Sequence, residues 1–509
     1  MIEKWIKCRY ILTILLTLGM MNAFIMRVNI SVAIVAMVDA PEIDKTDVHE
    51  CRYLVAEDET SDSVGLQNIT RIEKPFKWDA KTRGWILSAF YYGYITTPLL
   101  GGWLEHRFGG KIVFGSAVFF SSLVTLLMPT MSFVGPWALV ASRVILGIVQ
   151  GPVYPSHHGM WGKWAPPVER SKLMSIAMTG PYVGVAIAYL VSGALADSRF
   201  FKGWPSIFYA TGTFGVAWSV LWAILAFDSP ETHPRIREDE REYLRDAIRK
   251  RECKIKTPPV PWKDIVRSPQ VWSLFFAHFS LDWGFRNLSI NLPSFMDQVL
   301  GVDISKNSIL SAIPFLAVCI FIALSDKIYD FIRRRKLMTP LNFKRTLVFF
   351  AQIVPAVFLV AVGHIGCDHV TPVLILTMAA GFGGLSTPGI LVNFAEIAPR
   401  FAGVLFGMSN TISIMSGQLA PVLVGYVTGS ISDLRYAWQI VFYVGAAVSA
   451  LGGIVFMITV RVDVLPWAKL TKRDSELDSE DENLRLREPN SEMKWRESKH
   501  SNLNDTTTL

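Results

Sequence analysis

The sequence predicts an all-α membrane protein with twelve transmembrane helices, arranged as two halves of six. Apolar residues make up 51% of its 509 residues, and the mean hydropathy is +0.33. Both values exceed what a soluble chain of this length usually shows. The apolar residues are also concentrated in twelve long runs, at 10–38, 83–104, 112–133, 137–162, 173–196, 205–227, 270–296, 308–329, 346–366, 371–394, 403–428 and 438–461.

The length of these runs selects helices over a β-barrel. A helix needs about 20 residues to cross about 30 Å of hydrocarbon at 1.5 Å per residue. Only helices and closed barrels satisfy their backbone polar groups in lipid, and a barrel would show short alternating segments instead. We therefore expect each run to be one membrane-spanning helix.

The first run, 10–38, predicts a retained span that follows a cytoplasmic segment, 1–9. A basic start followed by apolar residues resembles a signal peptide, whose apolar region has about 7–15 residues. This run is far longer and contains Arg27. We therefore count it as the first helix of the bundle.

Charge in the loops orients the chain. Basic residues gather in the amino-terminal segment and in every second connection, at Lys4, Lys7, Arg9, Arg107, Lys111, Lys163, Arg170, Lys172 and 333–336. The positive-inside rule makes these segments cytoplasmic. The loop 39–81 is acidic and contains the acceptor triplet Asn68-Ile69-Thr70, which is usable only outside the cytosol. We therefore predict an external loop with glycosylation at Asn68.

The polar segments divide the chain into domains. A first six-helix half covers 10–227, a cytoplasmic linker covers 228–268, and a second half covers 269–461. Within the linker, 238–251 reads as a charged helix without a continuous apolar face. The remainder, 462–509, is rich in Ser, Asp, Glu and Asn and predicts a disordered cytoplasmic tail.

Several function classes lack their sequence signatures. No G-x-S-x-G elbow, H-E-x-x-H helix or Walker loop occurs, so an enzyme or an ATP-driven pump is not indicated. The five cysteines form no metal-ligand spacing, and we expect neither a metal nor a cofactor beyond co-transported sodium or protons. The expected partners are a small anion and the lipid bilayer, not nucleic acid, and we expect a monomer.

Two arginines within the spans predict an anion site. A charge at the bilayer centre costs at least about 2.5–3.5 kcal/mol, so Arg27 should face a cavity or a partner. A guanidinium binds a carboxylate or phosphate through two parallel hydrogen bonds. Arg143, nearer the end of its run, could join it in a clamp. A structural pair with a buried acid or carbonyls, or snorkelling of Arg143 to the interface, is the alternative.

The loop after the second span resembles the major facilitator superfamily signature G-x-L-A-D-R-x-G-R-K. It reads Gly102-Trp103-Leu104-Glu105-His106-Arg107-Phe108-Gly109-Gly110-Lys111. The resemblance implies twelve helices around a midplane site and a cytoplasmic gate formed by Glu105, Arg107 and Lys111. His106 stands where the pattern has Asp, so Glu105 is the candidate to replace that acid.

Five further strings resemble one branch, the anion/cation symporters that include sialin, vesicular glutamate transporters and sodium-phosphate cotransporters. They are RVNISVA at 27–33, WAPPVERSK at 164–172, PW at 261–262, AHF at 277–279 and EIAPR at 396–400. The resemblance covers nearly all of the chain except 39–81 and the tail. It implies alternating access for phosphate, sialate, urate or acidic amino acids, driven by protons, sodium or membrane potential.

The resemblance also assigns individual residues. Arg27 and Arg143 match the family's arginines of the first and fourth spans, and His158 matches a family histidine. Gln150 and Tyr154 lie with His158 in a stretch that two prolines interrupt, where freed backbone groups can meet a substrate. We therefore predict substrate contacts from these five residues, with hydrogen-bonded packing as the alternative for His158.

Three departures from the family's pattern bear on the driving ion and the substrate. Proton-coupled members carry a glutamate where Gln150 stands, and an amide cannot take up a proton as a buried carboxylate can. Leu87 and Leu281 replace a histidine and an arginine of the glutamate transporters. These departures favour the phosphate and urate branch and sodium or membrane potential as the driving force.

Asp282 and Arg286 are four residues apart in the seventh span, on one helix face. They are candidates for coupling a cation or proton to the substrate. A mutually neutralising structural pair is the alternative.

The sequence thus predicts a secondary active transporter, a symporter or a facilitator, of small organic or inorganic anions. An anion channel or a transporter-like anion sensor is the alternative. The short amino-terminal segment lacks an acidic dileucine signal, which favours the plasma membrane over a lysosomal or vesicular membrane.

Overall fold

A computed structural model describes residues 7–38, 75–198, 203–252, 260–365, 370–399 and 401–469. The predicted glycosylation site at Asn68 and most of the tail lie outside the described residues.

The first half consists of nine helices in the described residues, which build six spans. They are α1 (Cys8–Met37), α2 (Ala80–Tyr94), α3 (Pro98–Phe108), α4 (Gly110–Val134), α5 (Pro136–Gln150), α6 (Val153–Trp164), α7 (Pro167–Met178), α8 (Gly180–Asp197) and α9 (Pro205–Leu225).

The linker contributes α10 (Glu238–Glu252) and α11 (Trp262–Arg267). The second half follows with α12 (Pro269–Gln298), α13 (Ile304–Arg335), α14 (Pro340–Val348), α15 (Val354–Val362), α16 (Val370–Gly383), α17 (Asn393–Ile397), α18 (Ala402–Ser430) and α19 (Leu434–Thr459). One π-helical segment, Phe349–Ile353, joins α14 to α15, and a second, Thr387–Leu391, lies between α16 and α17.

Ten of the twelve predicted spans are helices long and apolar enough to cross a membrane in the described residues. The other two predicted spans coincide with helices that carry more polar groups or a break. The second span divides into α2 and α3, and the seventh is α12, a 30-residue helix that contains Asp282 and Arg286. The seventh span thus contains the predicted coupling pair, and α3 of the second span ends with Glu105 and Arg107 of the predicted cytoplasmic gate.

Proline residues explain where the second and fourth spans are interrupted. Proline removes a backbone donor and clashes with the preceding turn, so a helix ends before it or restarts at it. Pro98 starts α3 after a turn at 95–97, and Pro152 precedes α6 after Gln150 ends α5. The predicted interruption of the fourth span is confirmed.

The two halves repeat the same packing. In the first half α1 packs on α8, α2 on α5, and α4 on α9. In the second half the equivalent spans pack in the same way: α12 on α18, α13 on α16, and α15 on α19. The fold is therefore two similar six-span bundles, as the charge and hydropathy pattern predicts.

The halves contact each other through α2 with α18 and through α8 with α13. A Cβ atom on Gly84 would lie 2.8 Å from the carbonyl oxygen of Pro421, and one on Gly425 would lie 2.7 Å from that of Ala80. The Tyr189 hydroxyl donates a 2.9 Å hydrogen bond to the Ser289 carbonyl. These contacts lie toward the predicted external ends of the helices, so the structure is closed on the external side.

Candidate functional site

Arg27 is buried within α1, with 4% of its surface exposed. Its guanidinium carbon lies 4.2 Å from the centre of the Phe24 ring and 4.5 Å from that of the Phe90 ring. Tyr94 adds a third ring at 4.9 Å. Aromatic faces attract a desolvated cation and offset part of the burial cost. Because rings cover its faces, Arg27 offers its edge to a ligand.

Arg143 is 1% exposed and reaches from α5 to the backbone of α1. Its Nη2 donates to the carbonyl oxygen of Arg27 at 2.9 Å, and its Nη1 donates to that of Met26 at 3.4 Å. The structure therefore brings the two predicted arginines together. Arg143 lies behind Arg27 and fixes the backbone from which the Arg27 side chain extends.

These two guanidinium groups have no acidic partner. Within the described part of the chain, no carboxylate lies within ion-pair distance of Arg27 or Arg143, and the Nε atom of each has no hydrogen-bond partner. A buried charge without a counter-charge is costly, because desolvation is not repaid. An anion bound at this point would supply the missing charge.

Gln150 links the Arg27 side chain to the backbone of α1, the helix that carries Arg27. It is fully buried, its Oε1 accepts from Arg27 Nη2 at 3.3 Å, and its Nε2 donates to the Ala23 carbonyl at 3.1 Å. The Gln150 amide thus binds one edge of the Arg27 guanidinium without neutralising its positive charge. A carboxylate at the same place would form an ion pair with Arg27.

Tyr154 and His158 share one face of α6, because they are four residues apart. Both are half-buried, and the Tyr154 ring meets Phe24 edge-on at 6.4 Å. The ring of His158 meets that of His157 edge-on at 5.4 Å. The structure thus places Tyr154 against the surroundings of Arg27, and His158 one turn further along α6.

Asp282 and Arg286 form the predicted pair in α12. Arg286 Nη2 donates to Asp282 Oδ2 at 2.7 Å, and the Ser413 hydroxyl donates to the same oxygen at 2.8 Å. The Arg286 guanidinium carbon lies 5.1 Å from the centre of the Tyr91 ring in the first half. The pair therefore stands directly against the other half of the molecule.

Aromatic rings connect the two charged groups. The Phe90 ring lies 4.5 Å from the Arg27 guanidinium carbon, and the ring of its neighbour Tyr91 lies 5.1 Å from that of Arg286. The Tyr182 ring meets the Phe285 ring of α12 edge-on at 5.3 Å. Arg27 and the Asp282–Arg286 pair therefore face a common space between the halves. The sequence analysis missed Tyr182, because no motif distinguishes it from the other aromatic residues of the spans.

The predicted cytoplasmic gate is only partly assembled around the loop after α3. The Glu105 carboxylate lies against Gly159 of α6, where a Cβ atom would come within 2.7 Å of three of its atoms. This partial burial raises the pKa of Glu105, which lies just beyond the predicted span. The Lys111 ammonium lies 4.4 Å from the centre of the Phe227 ring, and Arg107 is exposed.

Asp228 organises this end of the first half and was missed by sequence reasoning. Its carboxylate pairs with Lys163 at 2.5 Å and accepts from the backbone N–H of Lys111 at 3.3 Å. A Cβ atom on Gly109 would lie 2.6 Å from the same carboxylate, and Gly109 has a φ of +85°. The glycine of the signature is therefore required by both its conformation and its close contact with Asp228.

The second half also has an ion pair at the cytoplasmic end of its fourth span, but the partner residue comes from a different span than in the first half. Lys163-Trp164-Ala165-Pro166 and Glu396-Ile397-Ala398-Pro399 occupy corresponding ends of the fourth and tenth spans. Lys163 pairs with Asp228, whereas Glu396 pairs with Lys344 at 2.6 Å. Lys344 also donates to the Pro388 carbonyl in the π-helical segment.

The linker helix α10 is attached to the first half by a buried ionic network. Arg9 pairs with Glu169 at 2.9 Å and with Glu240 at 3.2 Å. The Glu240 carboxylate also accepts from the backbone N–H of Cys8 at 2.9 Å, so it caps the start of α1. Leu244 is fully buried in the same core. This charged helix therefore buries Leu244 and Glu240 against the first half and acts as part of it.

Known proteins are similar to this chain along most of its length. Residues 15–343 and 274–502 match the family model of the Major Facilitator Superfamily. Sialin of Homo sapiens is 36% identical over 460 residues, which cover 90% of this chain and 90% of sialin. Vesicular glutamate transporter 1 of Bos taurus is 33% identical over 465 residues, covering 91% of this chain and 78% of that protein.

A solved structure has a similar fold at low identity. The crystal structure of a bacterial homolog to the human lysosomal transporter Spinster, in an inward-facing and occupied conformation, has a TM-score of 0.64 and 14% identity. The alignment covers 91% of this chain and 99% of that one. Fold and likeness together define a multi-pass membrane transporter. The chain belongs to the Major Facilitator Superfamily, in the family of sialin and the vesicular glutamate transporters.

Proposed function

We propose that this protein is a secondary active transporter of small anions that works by alternating access. The observation that carries the proposal is the absence of an acid beside Arg27 and Arg143 in the described residues, although both are buried. The names of the relatives agree with an anionic substrate, since sialin and a vesicular glutamate transporter are both similar to this chain.

In this proposal Arg27 contacts the substrate and the neighbouring groups position it. Gln150 accepts from one Arg27 nitrogen, which leaves the remaining donors of the guanidinium edge for a carboxylate or phosphate oxygen. A guanidinium–carboxylate pair is strongest with two parallel hydrogen bonds. Tyr154 and Tyr94 supply hydroxyl groups next to Arg27, and His158 lines the path toward the cytoplasmic end of α6.

Alternating access requires the two halves to part on one side as they meet on the other. The closed contacts α2–α18 and α8–α13 stand on the external side. We therefore assign the structure to the state that exchanges anion with the cytosol. Glu105, Arg107 and Lys111 belong to the cytoplasmic gate that would close in the opposite state.

Coupling to a cation is assigned to the Asp282–Arg286 pair. Gln150 cannot exchange a proton. Among the described residues, Asp282 is the carboxylate that lies at the junction of the halves, where its partner Arg286 contacts Tyr91 of the first half. Sodium, protons or the membrane potential supplies the driving force. Replacement of Asp282 by Asn, with uptake measured under separate sodium and proton gradients, identifies the ion if one gradient loses its effect. If coupling is unchanged while surface expression is normal, the pair does not couple a cation to transport and has a structural role.

The experiment that tests the function is uptake into vesicles that contain the full chain. Labelled phosphate, sialate, urate and glutamate are offered separately, with parent protein, Arg27→Ala and the control Arg435→Ala. Arg435 donates to the Ile365 carbonyl, away from the site. We expect uptake of at least one anion to be lost in Arg27→Ala and kept in Arg435→Ala. Equal uptake by Arg27→Ala and parent would refute the proposal.

An anion channel is the second candidate, and counterflow separates the two. Preloaded unlabelled substrate accelerates uptake through a carrier, because the loaded site returns faster, but it does not do so through a pore. We expect acceleration.

The plasma membrane is the proposed location. Surface labelling of the tagged full chain in intact cells would support it, whereas co-localisation with a lysosomal or vesicular marker would contradict it.

A further inference from the structure

Helix α13 extends beyond its apolar part and ends in exposed cations. The apolar part covers Ile304–Tyr329, whereas the helix continues to Arg335. At 1.5 Å per residue, 330–335 carries the helix about 9 Å further, toward the predicted cytoplasmic side. Arg334, Arg335 and Lys336 are exposed there. We call these three residues the basic end of α13.

One face of α13 is exposed and apolar from residue 309 to residue 331. Its members recur three or four residues apart, which places them on one side of the helix. They are Ile309, Ile313, Leu316, Ile320, Leu324, Ile328 and Phe331. Arg335 follows one turn later, and its guanidinium carbon lies 5.6 Å from the centre of the Phe331 ring. An apolar face suited to lipid tails thus leads directly into the basic end of α13.

The basic end of α13 has no acidic partner in the part of the chain that the structure describes. None of its three residues takes part in an ion pair there. The surrounding sequence is also basic overall, because 326–336 contains five basic and two acidic residues. Cations just beyond a span lie at the depth of the phospholipid headgroups, where they attract an acidic leaflet.

The backbone of Lys336 has a conformation that favours glycine. Its φ is 50°, and no other non-glycine residue among those described has a positive φ. The Leu337 N–H donates to the Ile332 carbonyl at 3.3 Å and closes the end of the helix. Glycine is the usual residue at such a position, because it has no Cβ atom. A lysine that bears this strain suggests that its charge has a use.

Two apolar side chains follow the cations. Leu337 is 60% exposed and Met338 is 45% exposed. Exposed apolar side chains beside cations are typical of surfaces that enter the interfacial region of a membrane. The positive-inside rule explains why cations lie on this side of the membrane, but it explains neither the strained backbone of Lys336 nor these apolar neighbours.

We propose that the basic end of α13 binds the headgroup of an acidic phospholipid in the leaflet on the predicted cytoplasmic side. The three cations bind the negatively charged headgroup, and the acyl chains lie along the apolar face that ends at Phe331. Leu337 and Met338 enter the interfacial region beside the headgroup.

The apolar face distinguishes a lipid from other anionic occupants. Inorganic phosphate has the charge but no carbon chain to cover this face. The tail segment 474–482 is acidic and contains Leu477 as its one apolar residue, so it matches the cations but not the apolar face. A phospholipid matches both.

Phosphatidylglycerol and phosphatidylcholine with identical acyl chains are matched probes, because only the first has a net negative charge. The unfolding temperature of the purified full chain in detergent is measured as each lipid is added, since a ligand that binds only the folded state raises this temperature. The variant Arg334→Gln/Arg335→Gln is compared with Arg237→Gln/Arg245→Gln. The two control arginines are exposed near the linker helix, each within ion-pair distance of an acid, and their loss removes the same charge.

We expect phosphatidylglycerol to bind the parent and the control more tightly than phosphatidylcholine. Loss of two surface cations should weaken phosphatidylglycerol binding by Arg334→Gln/Arg335→Gln roughly thirtyfold. Lys336→Gly should weaken it about fivefold. Without lipid, the unfolding temperature of Lys336→Gly should stay near that of the parent, because glycine suits the backbone at this position. Misfolding then cannot account for the weaker binding.

Equal affinity of the parent for the two lipids would overturn the inference. Unchanged phosphatidylglycerol affinity in Arg334→Gln/Arg335→Gln would also overturn it and would leave the basic end of α13 to another occupant, such as the acidic tail segment. Inorganic phosphate is added last, against sodium chloride of equal ionic strength. If phosphate displaces phosphatidylglycerol and chloride does not, the surface is a site for a free anion and the inference fails.

Discussion

The guanidinium of Arg143 donates a 2.9 Å hydrogen bond to the backbone carbonyl of Arg27, so that one buried arginine sets the position of the other. The two side chains belong to α5 and α1 and thus join the fourth span to the first. A two-residue clamp, as the sequence suggests, would expose both guanidinium edges to the substrate. In the structure the Arg143 guanidinium instead binds backbone carbonyls of α1, so the proposed site gives contact with the substrate to Arg27 and positioning to Arg143.

This arrangement predicts that Arg143→Gln lowers substrate affinity without removing the binding charge of Arg27. Loss of a hydrogen bond from a charged group costs about 1.5–3 kcal/mol, which corresponds to roughly a ten- to hundredfold rise in Kd. The concentration dependence of uptake measures the effect. Arg435→Gln, which removes an arginine–carbonyl bond outside the site, should leave affinity unchanged. Parent-like affinity in Arg143→Gln would show that α1 holds its position without this bond.

Gln150→Glu should make transport depend on pH. The new carboxylate would stand where the amide oxygen now lies, 3.3 Å from Arg27 Nη2. Full burial at this position favours the neutral acid and opposes the adjacent guanidinium, which favours the ionised carboxylate. The ionised form pairs with Arg27 and competes with the substrate. Acidification protonates it and releases Arg27, so uptake by Gln150→Glu should rise as pH falls from 8 to 5. Gln439→Glu, at the external end of α19, is the matched control and should follow the pH profile of the parent. A variant profile identical to that of the parent would exclude competition at Arg27.

Gly425→Ala should slow transport by opposing closure of the external side. A Cβ atom there would lie 2.7 Å from the Ala80 carbonyl and 3.0 Å from the Gly84 Cα, and backbone atoms cannot move aside as a flexible side chain can. We expect the maximal uptake rate to fall about tenfold, which corresponds to ~1.4 kcal/mol against the closed state. Gly407→Ala in the same helix meets no atom within 4 Å and controls for helix propensity. Equal rates for the two variants would contradict a close contact of the halves at Gly425.

Glu240→Gln should destabilise the protein more than Glu238→Gln. Breaking a buried ion pair costs about 3–5 kcal/mol, and the Glu240 and Arg9 side chains are each 3% exposed. The Glu238 side chain is 65% exposed in its pair with Arg241, where such pairs contribute little. Thermal unfolding of the purified chain measures the difference. Equal unfolding temperatures would mean that α10 is not held through Glu240.

The spans were predictable because a helix that crosses the membrane must be long and apolar, and both properties can be seen directly in the hydropathy of the sequence. Arg27 was predictable for the same reason, since a charge in an apolar run must have a function or a partner. The spacing of Asp282 and Arg286 also sufficed to predict their contact, because four residues form one helical turn.

Contacts between residues that are far apart in the sequence could not be predicted from a local sequence pattern. Arg9 and Glu240 are separated by 231 residues, and no local pattern indicates that they meet. Asp228 looks like an ordinary linker residue until the fold places it against Lys163 and Gly109. The contact of Arg143 with α1 was equally hidden, because it depends on which backbone carbonyls the side chain reaches in three dimensions.

The paired cytoplasmic ends carry one further consequence. Lys163 pairs with Asp228, which follows the sixth span, whereas Glu396 pairs with Lys344, which lies at the start of the ninth. Neither half can therefore take over the other's partner, because Lys163 would meet Lys344, and Glu396 would meet Asp228, as like charges that repel each other. Opposite charges at one position of two similar bundles thus keep each ion pair within its own half.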